Sequence, residues 1–85
     1  MNPNIVEVFI EKNCQACKEV LDVINSIMAQ YGISLRVYDR QEHKNVFRDR
    51  SVIVCPATFV NNRLAFYGAF SSAELSQYLK MDGRR

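Results

Sequence analysis

The sequence of 85 residues has no tryptophan, only three glycines and two prolines, and neither an internal repeat nor a low-complexity tract. No segment has the composition of a linker, and the length leaves room for one domain, residues 1–85. No apolar run approaches the ~20 residues needed to span a bilayer. Residues 1–4 lack the positive charge and apolar stretch of a signal peptide, so we expect a cytoplasmic protein.

The charge balance argues against nucleic-acid binding. The formal net charge is only +2, and part of it comes from Arg84 and Arg85, which we expect to form a disordered tail. No stripe of basic residues is interleaved with aromatic residues, so a nucleic-acid partner is not expected. Hydrophobic residues make up 48% of the chain, which is enough for a globular core. The sequence leaves the oligomeric state open, and a monomer is the default expectation.

Two of the three cysteines lie close together, in the segment Cys14-Gln15-Ala16-Cys17. Structural disulfides are rare in the reducing cytoplasm. A Cys-x-x-Cys pair in that compartment therefore indicates redox chemistry or metal binding.

The apolar pattern around this pair predicts a strand, a helix and a second strand. Residues 5–10 are β-branched or aromatic and apolar on both faces except at Glu7, which is typical of a central strand. Apolar residues then recur at spacings of three and four from Cys17 onwards, until Gly32 ends the helix. Residues 33–38 alternate, so the two strands are expected to form a right-handed parallel βαβ unit.

Capping signals predict two further helices. Asp39 and Glu42 form a potential capping box for a helix over residues 41–50. One of the serines at 71–72, together with Glu74, can cap a last helix in the same way.

The segment between these helices predicts a β-hairpin. Residues 57–60 and 63–67 read as strands that flank Asn61-Asn62, and asparagine tolerates the positive φ of a two-residue turn. Gly68 ends the second strand. The predicted order is β-α-β-α-β-β-α, an α/β fold with a four-stranded mixed sheet flanked by three helices.

The helix start assigns different roles to the paired cysteines. Unpaired N–H groups and the positive dipole at a helix N-terminus stabilise a thiolate, which is the form that attacks a disulfide. Cys14 lies at this start and can reach solvent, whereas Cys17 lies on the apolar face and should be buried. We predict that Cys14 attacks and that Cys17 resolves the mixed disulfide formed at Cys14.

Pro56 is the second informative position. It follows the apolar residues 52–55 and precedes the hairpin, which is a poor place for proline in a central strand unless the chain forms a special turn. A cis bond between Cys55 and Pro56 would form that turn. The backbone of Cys55 would then be exposed beside the cysteine pair, where it could bind an extended substrate.

These segments together resemble the glutaredoxin-like branch of the thioredoxin superfamily. The resemblance covers residues 5–80 and depends most on Cys14-Gln15-Ala16-Cys17 and on residues 55–62, which are similar to the family's cis-proline strand and hairpin turn. Residues 68–72 resemble the turn before its last helix. The resemblance implies a thioredoxin-like fold and a protein-disulfide oxidoreductase that reduces or exchanges disulfides.

The resemblance also implies a substrate groove and an electron donor. It places Cys55, Pro56 and Gly68 in the groove, and Ser71 at the start of the last helix could hold a carboxylate. Substrates would be disulfide-containing proteins or small thiols. No cofactor would be bound, and glutathione or a flavoprotein reductase would supply electrons. Glu11 stands where glutaredoxins tend to carry a lysine, which disfavours an anionic tripeptide.

Two other functions stay open at this point. Cys14, Cys17 and Cys55 could together bind a soft metal such as Cu(I) or Zn²⁺, or an iron–sulfur cluster. Three thiols and the distant His43 are few for structural zinc, which takes four ligands. The chain could also be an interaction domain whose cysteines are unreactive.

Several other side chains allow a functional and a structural interpretation. Glu7 could accept the proton of Cys17, although we favour a paired or solvated carboxylate near a strand edge. His43 is expected to be a surface histidine. Phe66, Tyr67 and Phe70 could line a peptide-binding surface or pack in the core.

Overall fold

A computed structural model describes residues 3–82, so the predicted tail at Arg84 and Arg85 lies outside the described residues. The element order agrees with the predicted one. The strands and helices are β1 (Asn4–Ile10), α1 (Gln15–Tyr31), β2 (Ile33–Asp39), α2 (Lys44–Asp49), β3 (Ala57–Val60), β4 (Arg63–Tyr67) and α3 (Ser72–Asp82). No helix within residues 3–82 is long and apolar enough to cross a membrane.

The four strands form one mixed sheet in the order β2-β1-β3-β4. Strand β1 is parallel to β2 and antiparallel to β3, which is in turn antiparallel to β4. The prediction that the first strand is central is confirmed. Because alternate side chains of a strand point to opposite faces, β1 contributes to the packing on both sides of the sheet.

The two faces of the sheet carry separate hydrophobic cores. Val6 and Val8 pack on one face with residues of α1 and α3, including the fully buried Ile24 and Leu75. Phe9 packs on the other face with the core residues Phe47, Val52, Ala57 and Phe59. Helices α1 and α3 therefore cover one face, and the short α2 covers part of the other.

Local sequence signals explain the ends of most elements. Gly32 adopts a left-handed conformation (φ 59°) that ends α1, and its N–H donates to the carbonyl of Met28. Asn61 and Asn62 have φ of 49° and 73°, as the two-residue hairpin turn requires. The Ser71 hydroxyl accepts from the Glu74 N–H (3.1 Å), and a Glu74 carboxylate oxygen accepts from the Ser71 N–H (2.9 Å). These predictions are confirmed.

The predicted start of the second helix is wrong. Helix α2 covers only Lys44–Asp49 instead of residues 41–50, and Asp39 does not cap it. Asp39 ends β2, and its carboxylate accepts from the N–H groups of Gln41 (2.9 Å) and Glu42 (3.2 Å). Because those bonds close a turn directly after the strand, the helix begins several residues later.

Glu7 does not lie near an edge of the sheet. It is 3% exposed on the central strand β1 and lies on the face of Phe9, opposite the face that α1 covers. The hypothesis that it accepts the proton of Cys17 is therefore wrong, because Cys17 belongs to α1. Glu7 is paired instead: it accepts from Arg50 Nη2 at 2.8 and 2.9 Å and from the Tyr38 hydroxyl at 3.1 Å.

We expect Arg50→Met to destabilise the fold by about 3 kcal/mol, because it leaves the buried Glu7 carboxylate without its counter-ion. The double variant Glu7→Gln/Arg50→Met should recover more than half of this loss, since a neutral amide replaces the charge. Arg48→Met, at an exposed position of α2, serves as the control. Chemical denaturation measures the free energy of unfolding, and a double variant no more stable than Arg50→Met would contradict the assignment.

Candidate active site

Cys14 and Cys17 form a disulfide at the start of α1, with their Cα atoms 5.2 Å apart. Cys14 is partly exposed, whereas Cys17 is 3% exposed on the buried side of the helix. The predicted difference in accessibility is confirmed. The strand β1 determines this position, since only the short loop 11–14 separates its end from the helix.

The helix start places a backbone donor against the Cys14 sulfur. Cys14 is the N-cap residue, and its sulfur accepts from the N–H of Cys17 at 3.1 Å. Asn13, directly before it, turns the chain into the helix with a positive φ of 57°. The first turn of α1 contains no acidic residue, so no carboxylate there neutralises the positive helix end. Backbone N–H groups at a helix N-terminus are, in general, a setting that favours a cysteine thiolate.

The segment around Pro56 brings two other predicted site residues together. The Cys55–Pro56 peptide bond is cis, and the buried Pro56 accepts with its carbonyl from the N–H of Gly68 at 2.8 Å. Cys55 is a free, half-buried thiol. Within residues 3–82, neither the N–H nor the carbonyl of Cys55 has a hydrogen-bond partner. Ser71 differs from this group because its hydroxyl and N–H are engaged in the cap of α3.

Arg40 is a site residue that the sequence analysis did not identify. Its Nε forms an ion pair with Glu11 Oε1 at 2.9 Å, and its Nη2 donates to the carbonyl of Ile53 at 2.7 Å and to Cys55 Sγ at 3.4 Å. One signal pointed to it: Arg40 follows β2 directly, and the carboxyl ends of the parallel strands β1 and β2 lie at the same edge of the sheet.

Cys55 is set apart from the other two cysteines by its electrostatic environment. Burial raises the pKa of the Cys55 thiol, the nearby Arg40 charge opposes this shift, and the Glu11 carboxylate reinforces it. The net shift is upward, so the thiol is protonated at neutral pH. Cys55 is therefore not primed to act as a third nucleophile.

The metal-binding alternative gains no support from the described part of the chain. Residues 3–82 contain no group of three or more histidine, cysteine or acidic side chains that could hold a metal ion. His43 precedes α2, and its half-buried ring lies edge-on to Tyr38 with 5.3 Å between the centroids, so it is less exposed than predicted.

The three aromatic residues of the second half divide between core and surface. Phe66 stacks on the buried Phe70 with 4.4 Å between ring centroids, so both pack on the α3 side. Tyr67 is 55% exposed and pairs with Ala57, next to Pro56. Ile53 (79% exposed) and Val54 (57%), shortly before the cis-proline in the chain, are exposed apolar side chains as well.

Comparison with known proteins agrees with this geometry. The sequence profile of a thioredoxin domain family matches residues 5–80. The chain belongs to the thioredoxin family. Family membership and the Cys14–Cys17 disulfide together make it a thiol–disulfide oxidoreductase that works through a dithiol. The metal-handling alternative is not favoured. No curated protein sequence matches the chain significantly.

Solved structures with this fold include other thioredoxins. A thioredoxin-2 that is a component of the malaria parasite's protein secretion machinery is 27% identical, with a TM-score of 0.82 over 94% of this chain and 84% of that one. A second malarial protein is 28% identical, with the same TM-score over 94% of this chain and 97% of that one. Oxidised mitochondrial thioredoxin 3 from Saccharomyces cerevisiae is 19% identical and shows the shared fold alone (TM-score 0.77; 94% and 79% covered).

In the folded, oxidised protein, we expect iodoacetamide to label Cys55 only at a pH above the ordinary thiol pKa of about 8.5. Cys14 and Cys17 are blocked by their disulfide, so the adduct reports Cys55 alone. Mass spectrometry of the adduct across a pH series gives the apparent pKa. The same chain unfolded in guanidinium, without reductant, is the reference. Equal labelling of the two forms at pH 7.5 would refute the burial argument.

Proposed function

We propose that Cys14 is the attacking thiolate and that Cys17 is the resolving cysteine. The observation that carries this assignment is their unequal exposure: Cys14 is partly exposed at the helix N-cap, whereas Cys17 is 3% exposed. A substrate disulfide can reach the first sulfur and not the second. The second sulfur is close enough to act on whatever binds to the first.

The proposed reaction transfers two electrons from the cysteine pair to the substrate. The Cys14 thiolate attacks one sulfur of the substrate disulfide, that bond breaks, and the departing substrate sulfur takes up a proton. Cys17 then loses its proton and attacks the Cys14 sulfur. The second substrate thiolate leaves and is protonated, and the Cys14–Cys17 disulfide remains for an external donor to reduce.

We propose that an extended substrate segment binds beside Pro56 while its disulfide reacts. The unpaired N–H and carbonyl of Cys55 support backbone pairing there, and the exposed Ile53 and Tyr67 offer apolar contacts. Gly68 would border the groove through its bond to Pro56. A substrate contact at Ser71 stays a prediction, since its hydroxyl already accepts from the N–H of Glu74.

We propose a flavoprotein reductase, rather than glutathione, as the electron donor. The Glu74 carboxylate bonds the N–H of Ser71 at the start of α3, where the carboxylate of glutathione would otherwise be held. Glu11 lies in the loop that carries Cys14, where the ion pair with Arg40 balances its charge. The Glu74 carboxylate is therefore the group that disfavours an anionic tripeptide. The free thiol of Cys55 accords with a reducing compartment, and we propose a cytoplasmic monomer as the working state.

Single-cysteine variants test the proposed roles. Cys14→Ser should reduce insulin disulfides no faster than background, because the attacking sulfur is gone. Reduced Cys17→Ser should accumulate a mixed disulfide with insulin at Cys14, which non-reducing electrophoresis and peptide mass spectrometry detect. Cys55→Ser is the matched control and should retain activity within about twofold, since a protonated thiol does not attack. A mixed disulfide at Cys17 in Cys14→Ser, with no adduct in Cys17→Ser, would reverse the assignment.

The donor proposal has its own test. Reduction of the Cys14–Cys17 disulfide should be slow with millimolar glutathione and at least about tenfold faster with NADPH and a thioredoxin reductase. Acid quenching followed by thiol alkylation measures the reduced fraction. Glu74→Gln should increase the glutathione rate if its charge is what repels the tripeptide. Efficient reduction of the wild type by glutathione would overturn the proposed donor and leave the cysteine roles intact.

A further inference from the structure

The segment just before the cis-proline lacks the usual means of support. Within residues 3–82, no backbone–backbone hydrogen bond involves Ile53, Val54 or Cys55. The side chains of Ile53 and Val54 are 79% and 57% exposed, so little packing holds them. Cys55 packs against the core that contains Phe9 and Phe47, but Ile53 and Val54 need another contact to hold them in one conformation.

Arg40 provides that support. Its Nη2 donates both to the Ile53 carbonyl at 2.7 Å and to the Cys55 sulfur at 3.4 Å. Within the described residues, these are the hydrogen bonds that reach the segment 53–55. A charged donor makes each bond stronger than a neutral one would be.

Arg40 is itself fixed at three points. Its N–H donates to the carbonyl of Ile10 at 2.9 Å, which extends the pairing of β1 with β2. Its guanidinium lies over the ring of Phe47, 5.0 Å from the centroid, and its Nε is held by Glu11 at 2.9 Å. The side chain therefore links the loop 11–14, which carries Cys14, to the segment that precedes Pro56.

We propose that Arg40 is a positioning residue for disulfide exchange, which holds the segment 53–55 in the conformation that pairs with an extended protein substrate beside Cys14. The inference rests on the proposed function. Its consequence is selective: a protein substrate uses the segment, whereas a small aromatic disulfide needs only access to Cys14. Arg40 should therefore affect substrate binding and leave the chemistry of the cysteine pair unchanged.

The test compares two oxidants of the pre-reduced protein, with no other reductant present. Insulin is the protein substrate and 5,5′-dithiobis(2-nitrobenzoic acid) is the small disulfide. In Arg40→Met, the insulin concentration for half-maximal oxidation should rise about tenfold, because the segment must be ordered on binding. The limiting rate, the rate with the small disulfide and the Cys14–Cys17 reduction potential should stay within error of the wild type.

Two variants bracket this result. Arg40→Lys should raise the half-saturating insulin concentration less, because an ammonium keeps the charge but cannot hold Glu11, Ile53 and Cys55 in one plane. Arg48→Met removes the same charge from an exposed position of α2 and should change nothing. If Arg40→Met fails to fold, Arg40→Lys and Glu11→Gln, which releases the guanidinium, carry the same comparison.

The outcomes separate the two hypotheses. An unchanged half-saturating concentration in Arg40→Met would overturn the positioning role. So would an equal loss with both oxidants or a shifted reduction potential, because Arg40 would then act on the thiols or on the fold. A wild type inactive toward both oxidants would overturn the proposed function, and this inference with it.

Discussion

Burial of β1 on both faces is the constraint on which the rest of this structure depends. The strand pairs with β2 and β3, and its alternating side chains supply Val6 and Val8 to one core and Phe9 to the other. A strand in this position must pair any charge it carries, and Glu7 is paired by Arg50 and Tyr38. The short loop after the same strand leads to Cys14, so the strand that is central to both cores also positions the reactive cysteine.

The active site combines a rigid part and a lightly held part. The rigid part is the start of α1, where helix geometry places Cys14 and Cys17 one turn apart. The lightly held part is the segment before Pro56, where the N–H and carbonyl of Cys55 have no hydrogen-bond partner within residues 3–82. Disulfide exchange profits from both, because the reacting sulfurs need fixed geometry while the binding segment needs free hydrogen-bonding groups.

Local rules predicted the fold well, and long-range side-chain contacts escaped them. Gly32, Asn61-Asn62 and the Ser71–Glu74 pair act within a few residues, so their effects are readable from sequence. The capping prediction for Asp39 was wrong because a carboxylate after a strand can accept from the N–H groups of the following turn instead of capping a helix. The ion pair of Glu7 with Arg50 spans 43 positions, and that of Arg40 with Glu11 spans 29, so no periodic pattern announces either contact. The sequence therefore predicted the cysteines of the candidate site but not Arg40.

The protonated state of Cys55 has a consequence for the number of isomers the oxidised chain can adopt. Three sulfurs allow three different single disulfides, and exchange among them needs a thiolate as attacker. Burial raises the pKa of the Cys55 thiol, and the Cys55 sulfur accepts a hydrogen bond from Arg40. A protonated thiol is a poor attacker, so the raised pKa of Cys55 disfavours its exchange into the Cys14–Cys17 disulfide.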